Sequence, residues 1–419
     1  MKSFSRTWGP LSIVLTIALA LTACGGSSSD SGDQKTPEKI INWNAPNGVT
    51  GSVRNALNTE SLEGVAVEVY DSADFERGGQ LPVAFTMQPL RSVVTDENGQ
   101  FTIDSFGVEG HPVFRYFLEN YIDTVLYYTA PAPEADDQAP LQLEPSRLPT
   151  AEEVEGTPDI AGKITDALTG QAVEGATVKL FRNGNTSLDA DYVLTTNDFG
   201  IYEQDEVEAG VYAAVISAED YITTTRNTLY AYVGSTSEYD EQNQNLNFTI
   251  TPVLEEGVWR IVLTWGEHPS DLDSHIWAPA EGLTAENCSE SGYWDHDKHI
   301  YYGHKSDGNY LSEDSTLNLD VDDTSSYGPE TITITDQQEG IYYYSIHHWT
   351  GSKSIAESGA KIEVYNGSEL KRVFYAPTTG GEEKYIWEVF NLNGDTITNV
   401  NKYQTHTTGG SGPACPRVM

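Results

Sequence analysis

The chain has 419 residues, and its 63 Asp and Glu against 23 Lys and Arg give a formal net charge of −40 at pH 7. This charge excludes ordinary binding to nucleic-acid phosphates, which requires clustered Lys and Arg, so no nucleic acid is expected as a partner. A hydrophobic content of 38% and 24 Tyr are enough for folded, β-rich cores, which excludes a disordered acidic chain. The length predicts two or three domains, and three Cys exclude a small disulfide-dense fold.

The N-terminal segment, residues 1–23, has the pattern of a secretory signal peptide. Lys2 and Arg6 precede an apolar run that is too short to span a bilayer comfortably. The run ends in LTAC, which resembles the lipobox of bacterial lipoproteins and implies cleavage before Cys24 and acylation of that residue. The alternative is an ordinary secreted protein in which this Cys has no role.

The residues after the lipobox predict where the protein is held. Gly25 follows the Cys, and by resemblance to enterobacterial sorting rules this implies an outer-membrane lipoprotein that faces the periplasm or the cell surface. Multiple acyl chains together hold a protein to a bilayer almost permanently. Residues 24–45 begin with a Ser-, Gly- and Asp-rich stretch and are predicted to form a flexible tether.

Two segments of the chain form an internal repeat. LEGVAVEVY (from Leu62) and VTDENGQFTI (from Val94) correspond to VEGATVKLF (from Val173) and TTNDFGIYE (from Thr195). Apolar residues alternate within these blocks, as expected for strands with one buried face. DENG and NDFG are predicted turns, in which Gly supplies a positive φ.

These blocks resemble the carboxypeptidase regulatory-like domain. The resemblance implies two small Greek-key β-sandwiches, at residues 46–145 and 157–254, although the first copy departs from the family at GHPVFRY. Members of this family are mostly spacers or docking modules, so a structural role is implied for both copies, with glycan binding by one of them as the alternative. The Pro-rich stretches 131–140 and 145–158 lack periodicity and are predicted to be connectors.

The C-terminal part of the chain, residues 257–403, contains many short strand candidates and no convincing amphipathic helix. VWRIVLTW, HIYYG, STLNLDV, ETITIT, GIYYYSIHHW, AKIEVY and KYIWEVF predict a sandwich or jelly roll, followed by a tail at residues 404–419. LTWGEHPSDLDSHIWAP and LDVDDTSSYGPETITI resemble a bacterial domain best known from YfaP-type proteins. That resemblance carries over no activity.

Four aspartates of this domain are candidate metal ligands. Strand alternation places Asp271, Asp273 and His275 on one face, and it places Asp320 and Asp322 together on one face of a second strand. Neighbouring carboxylates repel each other unless a cation or hydrogen bonds compensate them, and oxygen ligands at this density suit Ca²⁺. The DLD string is also similar to calcium motifs of tellurium-resistance-type β-sandwiches. The alternatives are that these aspartates cap turns and face water, or that they bind a metal other than calcium.

Aromatic and histidine side chains of the same domain are candidates for contact with a ligand. His275, Trp277, Trp294 and Trp349 are the chosen residues, because exposed aromatic rings stack on sugars, while most Trp side chains are expected in the core. The histidines of DHDKHIYYGH match no established metal motif, and neighbouring His347 and His348 must point to opposite faces of a strand. Solvated or hydrogen-bonded histidines are therefore expected.

The remaining two cysteines, Cys288 and Cys415, are predicted to form a disulfide in an oxidising envelope. Such a bond would tie the Gly-rich tail to the third domain. The entropy model allows roughly 4–5 kcal/mol for a loop of this length.

The sequence thus predicts an all-β protein of three β-sandwich domains in series, anchored in the outer membrane. It has no Gly-x-Ser-x-Gly, no His-Glu-x-x-His and no Gly-rich phosphate loop, which favours a non-enzyme. The predicted function is binding of a glycan or a protein partner through a calcium-stabilised third domain. The alternatives are a structural spacer or accessory subunit, or a hydrolase built on Asp271, Asp273 and His275.

Overall fold

The fold is taken from a computed structural model, which describes residues 43–56, 60–74, 88–128, 140–150, 156–233, 242–279, 299–307, 315–380 and 386–404. The signal peptide, Cys24, Trp294 and the predicted Cys288–Cys415 disulfide lie outside the described residues. The all-β prediction is confirmed, because the described chain forms strands in three sandwiches, with short 3-10 turns such as Ser72–Asp74.

The first sandwich consists of a two-stranded, a four-stranded and a second four-stranded sheet, with β2 central in one layer and β3 and β7 central in the other. Its strands are β1 (Trp43–Ala45), β2 (Val49–Asn55), β3 (Ala66–Asp71), β4 (Arg91–Val94), β5 (Gln100–Ile103), β6 (Phe106–Val108), β7 (Pro112–Phe117), β8 (Thr124–Tyr127), β9 (Leu141–Gln142) and β10 (Ser146–Leu148).

The second sandwich has a three-stranded sheet, β14-β11-β17, and a four-stranded sheet, β13-β12-β15-β16. Its strands are β11 (Ile160–Asp166), β12 (Thr177–Arg182), β13 (Tyr192–Thr195), β14 (Ile201–Gln204), β15 (Gly210–Ser217), β16 (Thr224–Ala231) and β17 (Phe248–Ile250).

The internal repeat is visible in the strand pairing of these two sandwiches. In the first, β2 pairs with β5 antiparallel and with β10 parallel, and β3 pairs with β4 and β7. In the second, β11 makes the same two pairings with β14 and β17, and β12 pairs with β13 and β15. The turn glycines Gly99 and Gly200 have φ of 69° and 72°, as the repeat predicts.

Two predicted boundaries of the first domain need correction. Trp43 is buried and stacks on Phe106, so the chain is already part of the sandwich within the predicted tether at residues 24–45. At the other end, Ser146–Leu148 adds a parallel strand inside the stretch 145–158 that was predicted to be a connector. A short strand of three residues carries too little periodicity to be recognised in a sequence.

The third sandwich contains two five-stranded sheets, β21-β22-β18-β24-β25 and β20-β19-β23-β26-β27. Its strands are β18 (Trp259–Thr264), β19 (Asp271–Trp277), β20 (His299–Ile300), β21 (Leu317–Val321), β22 (Glu330–Ile334), β23 (Ile341–Thr350), β24 (Lys361–Asn366), β25 (Glu369–Tyr375), β26 (Ile386–Asn393) and β27 (Thr396–Gln404). The seven predicted strand segments are confirmed, while β25 and β27 were not foreseen.

The three sandwiches follow one another along the chain and also contact one another. Gln142 of the first sandwich donates from Nε2 to the Tyr375 carbonyl (2.8 Å) and accepts the Tyr375 amide (3.1 Å) of the third. The first and second meet where Tyr230 Oη accepts the Arg147 amide at 2.8 Å. The second and third share a small apolar cluster that includes Ala167 and Val262.

Candidate functional site

The site begins with two adjacent antiparallel strands of the third sandwich. β19 and β23 place Asp273 opposite His347, His275 opposite Ser345, and Trp277 opposite Tyr343. Asp273, His275 and Trp277 share one face because side chains alternate along a strand. The intervening Leu272 and Ile276 belong to the hydrophobic core, as the alternation predicts.

The short strand β20 adds a second histidine to this face. It pairs with the end of β19, and the His299 ring stacks on Trp277 with centroids 4.2 Å apart and planes 8° apart. His299 Nε2 and His275 Nδ1 are 2.9 Å apart and form a hydrogen bond. Tyr301 stacks on both histidine rings, so the side chains of the two histidines are fixed by packing as well as by the bond.

Burial keeps His275 neutral. Its side chain has no exposure to solvent, and desolvation, followed by the nearby His299 and His347, lowers the pKa of His275 well below its ordinary value. Its Nδ1 is occupied by His299, and its Nε2 has no hydrogen-bond partner among the described residues. A buried imidazole nitrogen without a partner is costly unless a ligand occupies it.

A group of carboxylates lies on the other side of Asp273. Oxygens of Asp273, Asp322 and Glu330 lie within 4.8 Å of one another, and Glu330 is fully buried. Glu330 Oε2 accepts the backbone N–H of Ser274 at 2.5 Å, while its Oε1 has no hydrogen-bond partner among the described residues. Lys305 forms an ion pair with Asp322 at 2.7 Å, so part of the negative charge is compensated.

Burial, together with mutual repulsion, raises the pKa of three acid groups in this cluster. Desolvation, then Asp273, Asp322 and Asp323, raise the pKa of Asp271 to about 7. Desolvation also raises the pKa of Asp273, against a lowering contribution from His347. The pKa of Glu330 is raised well above its ordinary value by burial and by the neighbouring aspartates. Such shifts mark carboxylates that lack sufficient positive charge, and a bound cation would reverse them.

The structure separates two of the four predicted calcium ligands. Register between β21 and β22 shifts between Leu319 and Val321, which is a β-bulge, and a bulge changes which way the following side chains point. Asp322 thereby joins Glu330 and Asp273, whereas Asp320 lies near Arg260. The prediction that Asp320 and Asp322 share one face is therefore wrong, because strict alternation was assumed across the bulge.

The predicted ligand-contact residues divide into buried and exposed ones. Trp277 is 2% exposed and packs inside the ring cluster, so its indole is not available at the surface. Trp349 at the end of β23 is 43% exposed, and its ring lies 5.2 Å from that of Tyr302. Desolvation by burial, followed by Asp273, Tyr301, Asp271 and Asp322, raises the pKa of Tyr302, so the phenol lies near the carboxylates.

The sequence singled out part of this arrangement and missed the rest. Glu330 was not among the predicted ligands, although it belongs to the quoted segment LDVDDTSSYGPE. The expectation of hydrogen-bonded histidines is confirmed for His299 and for His304, whose Nδ1 lies 2.9 Å from the His299 carbonyl oxygen. His299 and His347 are 1% and 6% exposed, so protein groups rather than solvent surround their rings. Pairing of β19 with β23 and β20 brings these side chains together, and it cannot be read from local spacing.

Comparison with known proteins supports one part of the sequence interpretation. Residues 159–244 match the model of the carboxypeptidase regulatory-like domain, in agreement with the predicted second sandwich. This match is compatible with a non-catalytic accessory or structural role. No protein of curated function matches the chain.

Solved structures resemble the chain only weakly. A streptococcal ancillary pilin is 14% identical with a TM-score of 0.18, covering 52% of this chain and 64% of the pilin. The Bacillus anthracis TIE protein is 10% identical with a TM-score of 0.18, covering 73% of this chain and 46% of that protein. The protein SAV2460 of unknown function is 13% identical with a TM-score of 0.25, covering 37% of this chain and 91% of that one. The chain thus spans less than two thirds of the length of the first two.

Within the described residues, no helix is both long and apolar enough to cross a membrane.

Proposed function

We propose that this protein is a non-catalytic cell-envelope lipoprotein whose third sandwich binds a glycan next to a calcium ion. The observation that carries the proposal is the exposed Trp349 ring beside Tyr302, at the edge of a carboxylate cluster. Aromatic rings stack on sugar faces, and a partly hydrated Ca²⁺ accepts hydroxyl oxygens as ligands. The combination suits a polyhydroxylated ligand.

The calcium ligands proposed here are Asp273, Asp322 and Glu330, with Asp271 close to them. This set differs from the sequence-based one by the loss of Asp320 and the gain of Glu330. Ca²⁺ takes six to eight oxygens at about 2.3–2.6 Å, so the carboxylates would leave positions for water or for ligand hydroxyls. Burial of Glu330 and Asp273 disfavours a solvated acidic surface as the explanation for this part of the cluster.

The envelope location rests on the lipobox, with Cys24 as the acylated residue. Labelling of cells with a palmitate analogue, followed by membrane fractionation, tests it. We expect label on the wild type, and release of the Cys24→Ala variant into the soluble fraction. Unchanged membrane association of that variant would contradict lipid anchoring. It would not bear on the proposed binding site in the third sandwich.

Glycan binding is tested with the chain from residue 40 onward, which forms one compact unit containing all three sandwiches. A glycan array probed in millimolar Ca²⁺ and again in chelator should give signals that depend on calcium. Trp349→Ala should lower the affinity for each positive glycan about 5- to 150-fold, since loss of ring stacking costs on the order of 1–3 kcal/mol.

The matched control is Phe199→Ala, which removes an aromatic side chain that is 66% exposed in the second sandwich. It should bind as the wild type does. Equal losses in both variants, or equal signals in calcium and chelator, would contradict the proposed site.

A structural role is the second candidate, and contacts among the three sandwiches favour it. Arg226 of the second sandwich forms a 3.3 Å ion pair with Glu144, which follows β9 of the first. Lys361 and Glu363 of the third, a buried ion pair at 2.9 Å, adjoin Arg226 and Glu144. Such a packed junction suits a rigid spacer. If the folded protein, with this junction intact, gives no signal on the glycan array, the structural role is the one to assign.

A further inference from the structure

A second group of metal-ligating side chains shares Asp273 with the carboxylate cluster. One ligand atom each from Asp273, His275 and His347 lies within 4.8 Å of the others, and all three residues are buried. Exposure is 3% for Asp273, 0% for His275 and 6% for His347. Two imidazoles and one carboxylate form a donor set that suits Zn²⁺ and related transition metals, whereas calcium prefers oxygen alone.

The spacing of two of these atoms is close to that of two ligands of one zinc ion. His347 Nδ1 and Asp273 Oδ2 are 3.6 Å apart. Two ligands at about 2.0–2.1 Å from a tetrahedral Zn²⁺ lie roughly 3.4 Å apart. The pair therefore already has nearly the separation that zinc ligands adopt.

His275 carries the features of a ligand supported from behind. Its Nδ1 is bonded to His299 Nε2, which leaves Nε2 for a metal, and that atom has no hydrogen-bond partner among the described residues. Metal-bound histidines usually donate their other N–H to a fixed acceptor, which sets the tautomer and the ring orientation. Here His299, itself stacked on Trp277 and Tyr301, would be that acceptor in the tautomer that leaves its Nε2 unprotonated.

We infer that Asp273, His275 and His347 form a zinc-type transition-metal site, with His299 as the residue that positions His275. Three protein ligands leave a fourth position for water or for a group of a bound ligand. The site is separate in chemistry from the proposed calcium site, although Asp273 belongs to both sets of ligands. The inference does not depend on glycan binding.

The test is direct metal binding by the purified full-length chain after chelator treatment. Zn²⁺ is titrated against a chromophoric chelator of known affinity, and Co²⁺ is titrated as a spectroscopic substitute. We expect one tightly bound Zn²⁺ per chain and a Co²⁺ spectrum of a low-coordinate site. His347→Gln should weaken zinc binding by about 100-fold or more, and His299→Ala by about 10- to 100-fold, as is usual for a supporting residue.

His348→Gln is the matched control, because His348 is the chain neighbour of His347 and pairs with Leu272 on the core side of the strand. It should bind zinc as the wild type does. Zinc-edge X-ray absorption of the wild-type protein, which needs no variant to fold, should show two imidazole ligands. An oxygen-only coordination shell, no stoichiometric zinc, or equal binding by the His347 and His348 variants would overturn the inference.

These outcomes also separate the two proposed sites. Trp349→Ala should lower glycan affinity without changing zinc affinity. His347→Gln should lower zinc affinity without removing the Ca²⁺ response. Of these variants, only Asp273→Asn should weaken the binding of both Zn²⁺ and Ca²⁺.

Discussion

Glu330 is the residue on which the electrostatics of the carboxylate cluster depend most. It is fully buried, it accepts one backbone N–H, and it lies close to Asp273 and Asp322. A charged carboxylate in this position is unfavourable until a cation compensates it. We therefore expect the stability of the third sandwich to rise when a cation binds next to Glu330.

Glu330→Gln should have opposite effects with and without calcium. Gln keeps an oxygen for the Ser274 amide and removes the charge, so in chelator we expect the variant to melt at or above the wild-type temperature. In millimolar Ca²⁺ the wild type should gain on the order of 2.7 kcal/mol at a hundredfold excess over Kd. The variant should lose most of this gain. Scanning calorimetry in chelator and in calcium measures both effects.

Asp320→Asn provides the control for this prediction, because Asp320 lies near Arg260 and outside the cluster. Its calcium response should equal that of the wild type. If Asp320→Asn abolishes the response and Glu330→Gln does not, the sequence-based ligand set is the correct one.

At the scale of elements, the two repeats share a buried threonine that links neighbouring strands. Thr95 Oγ1 accepts the Val65 amide at 2.9 Å and donates to the Leu62 carbonyl at 2.6 Å. Thr196 makes the equivalent bonds with Ala176 and Val173 at 2.8 and 2.7 Å. In each repeat the threonine hydroxyl satisfies one backbone N–H and one backbone carbonyl, next to the Glu-Gly turn that precedes a strand.

Thr95→Val and Thr196→Val should destabilise their sandwiches to a similar extent. Each leaves a buried N–H and a carbonyl without a partner, which costs about 1–3 kcal/mol, while the shape of the side chain is preserved. Urea denaturation followed by tryptophan fluorescence and circular dichroism measures the loss. The control, Thr102→Val on an exposed position of β5, should stay within about 0.5 kcal/mol of the wild type. A neutral effect at only one of the two buried positions would contradict their structural equivalence.

For the whole molecule, the junction of the three sandwiches contains charged groups in a buried setting. Desolvation, with a smaller contribution from Arg226, lowers the pKa of Lys361 to about 8, against raising contributions from Glu363 and Glu144. Tyr365 and Tyr375 adjoin the same network. The ammonium group is thus held in the junction at a cost in stability at neutral pH.

Stability should therefore rise with pH as Lys361 loses its proton. The unfolded chain binds this proton up to about pH 10.5 and the folded chain only up to about pH 8, so the unfolded state holds more protons in between and unfolding becomes harder. We expect a gain of about 2 kcal/mol between roughly pH 7.5 and 9.5 relative to Lys361→Met. Denaturant titrations at these pH values measure the difference, and parallel pH profiles of the two proteins would contradict it.

Much of the architecture could be predicted from the sequence because it depends on local patterns. Alternating apolar residues gave the strands of both repeats, and the DENG and NDFG turns required the positive φ found at Gly99 and Gly200. The same alternation correctly separated Asp273 from Leu272. These features follow from the geometry of a single strand or turn, which a few consecutive residues determine.

The tertiary structure decided what local pattern could not. A bulge between Leu319 and Val321 moved Asp322 away from Asp320 and toward Glu330. Register between β19 and β23 placed His347 opposite Asp273, although 74 positions separate them in the chain. Bulges and registers are set by packing of distant strands onto a common core, so the composition of the site depends on contacts that no short segment of the sequence contains.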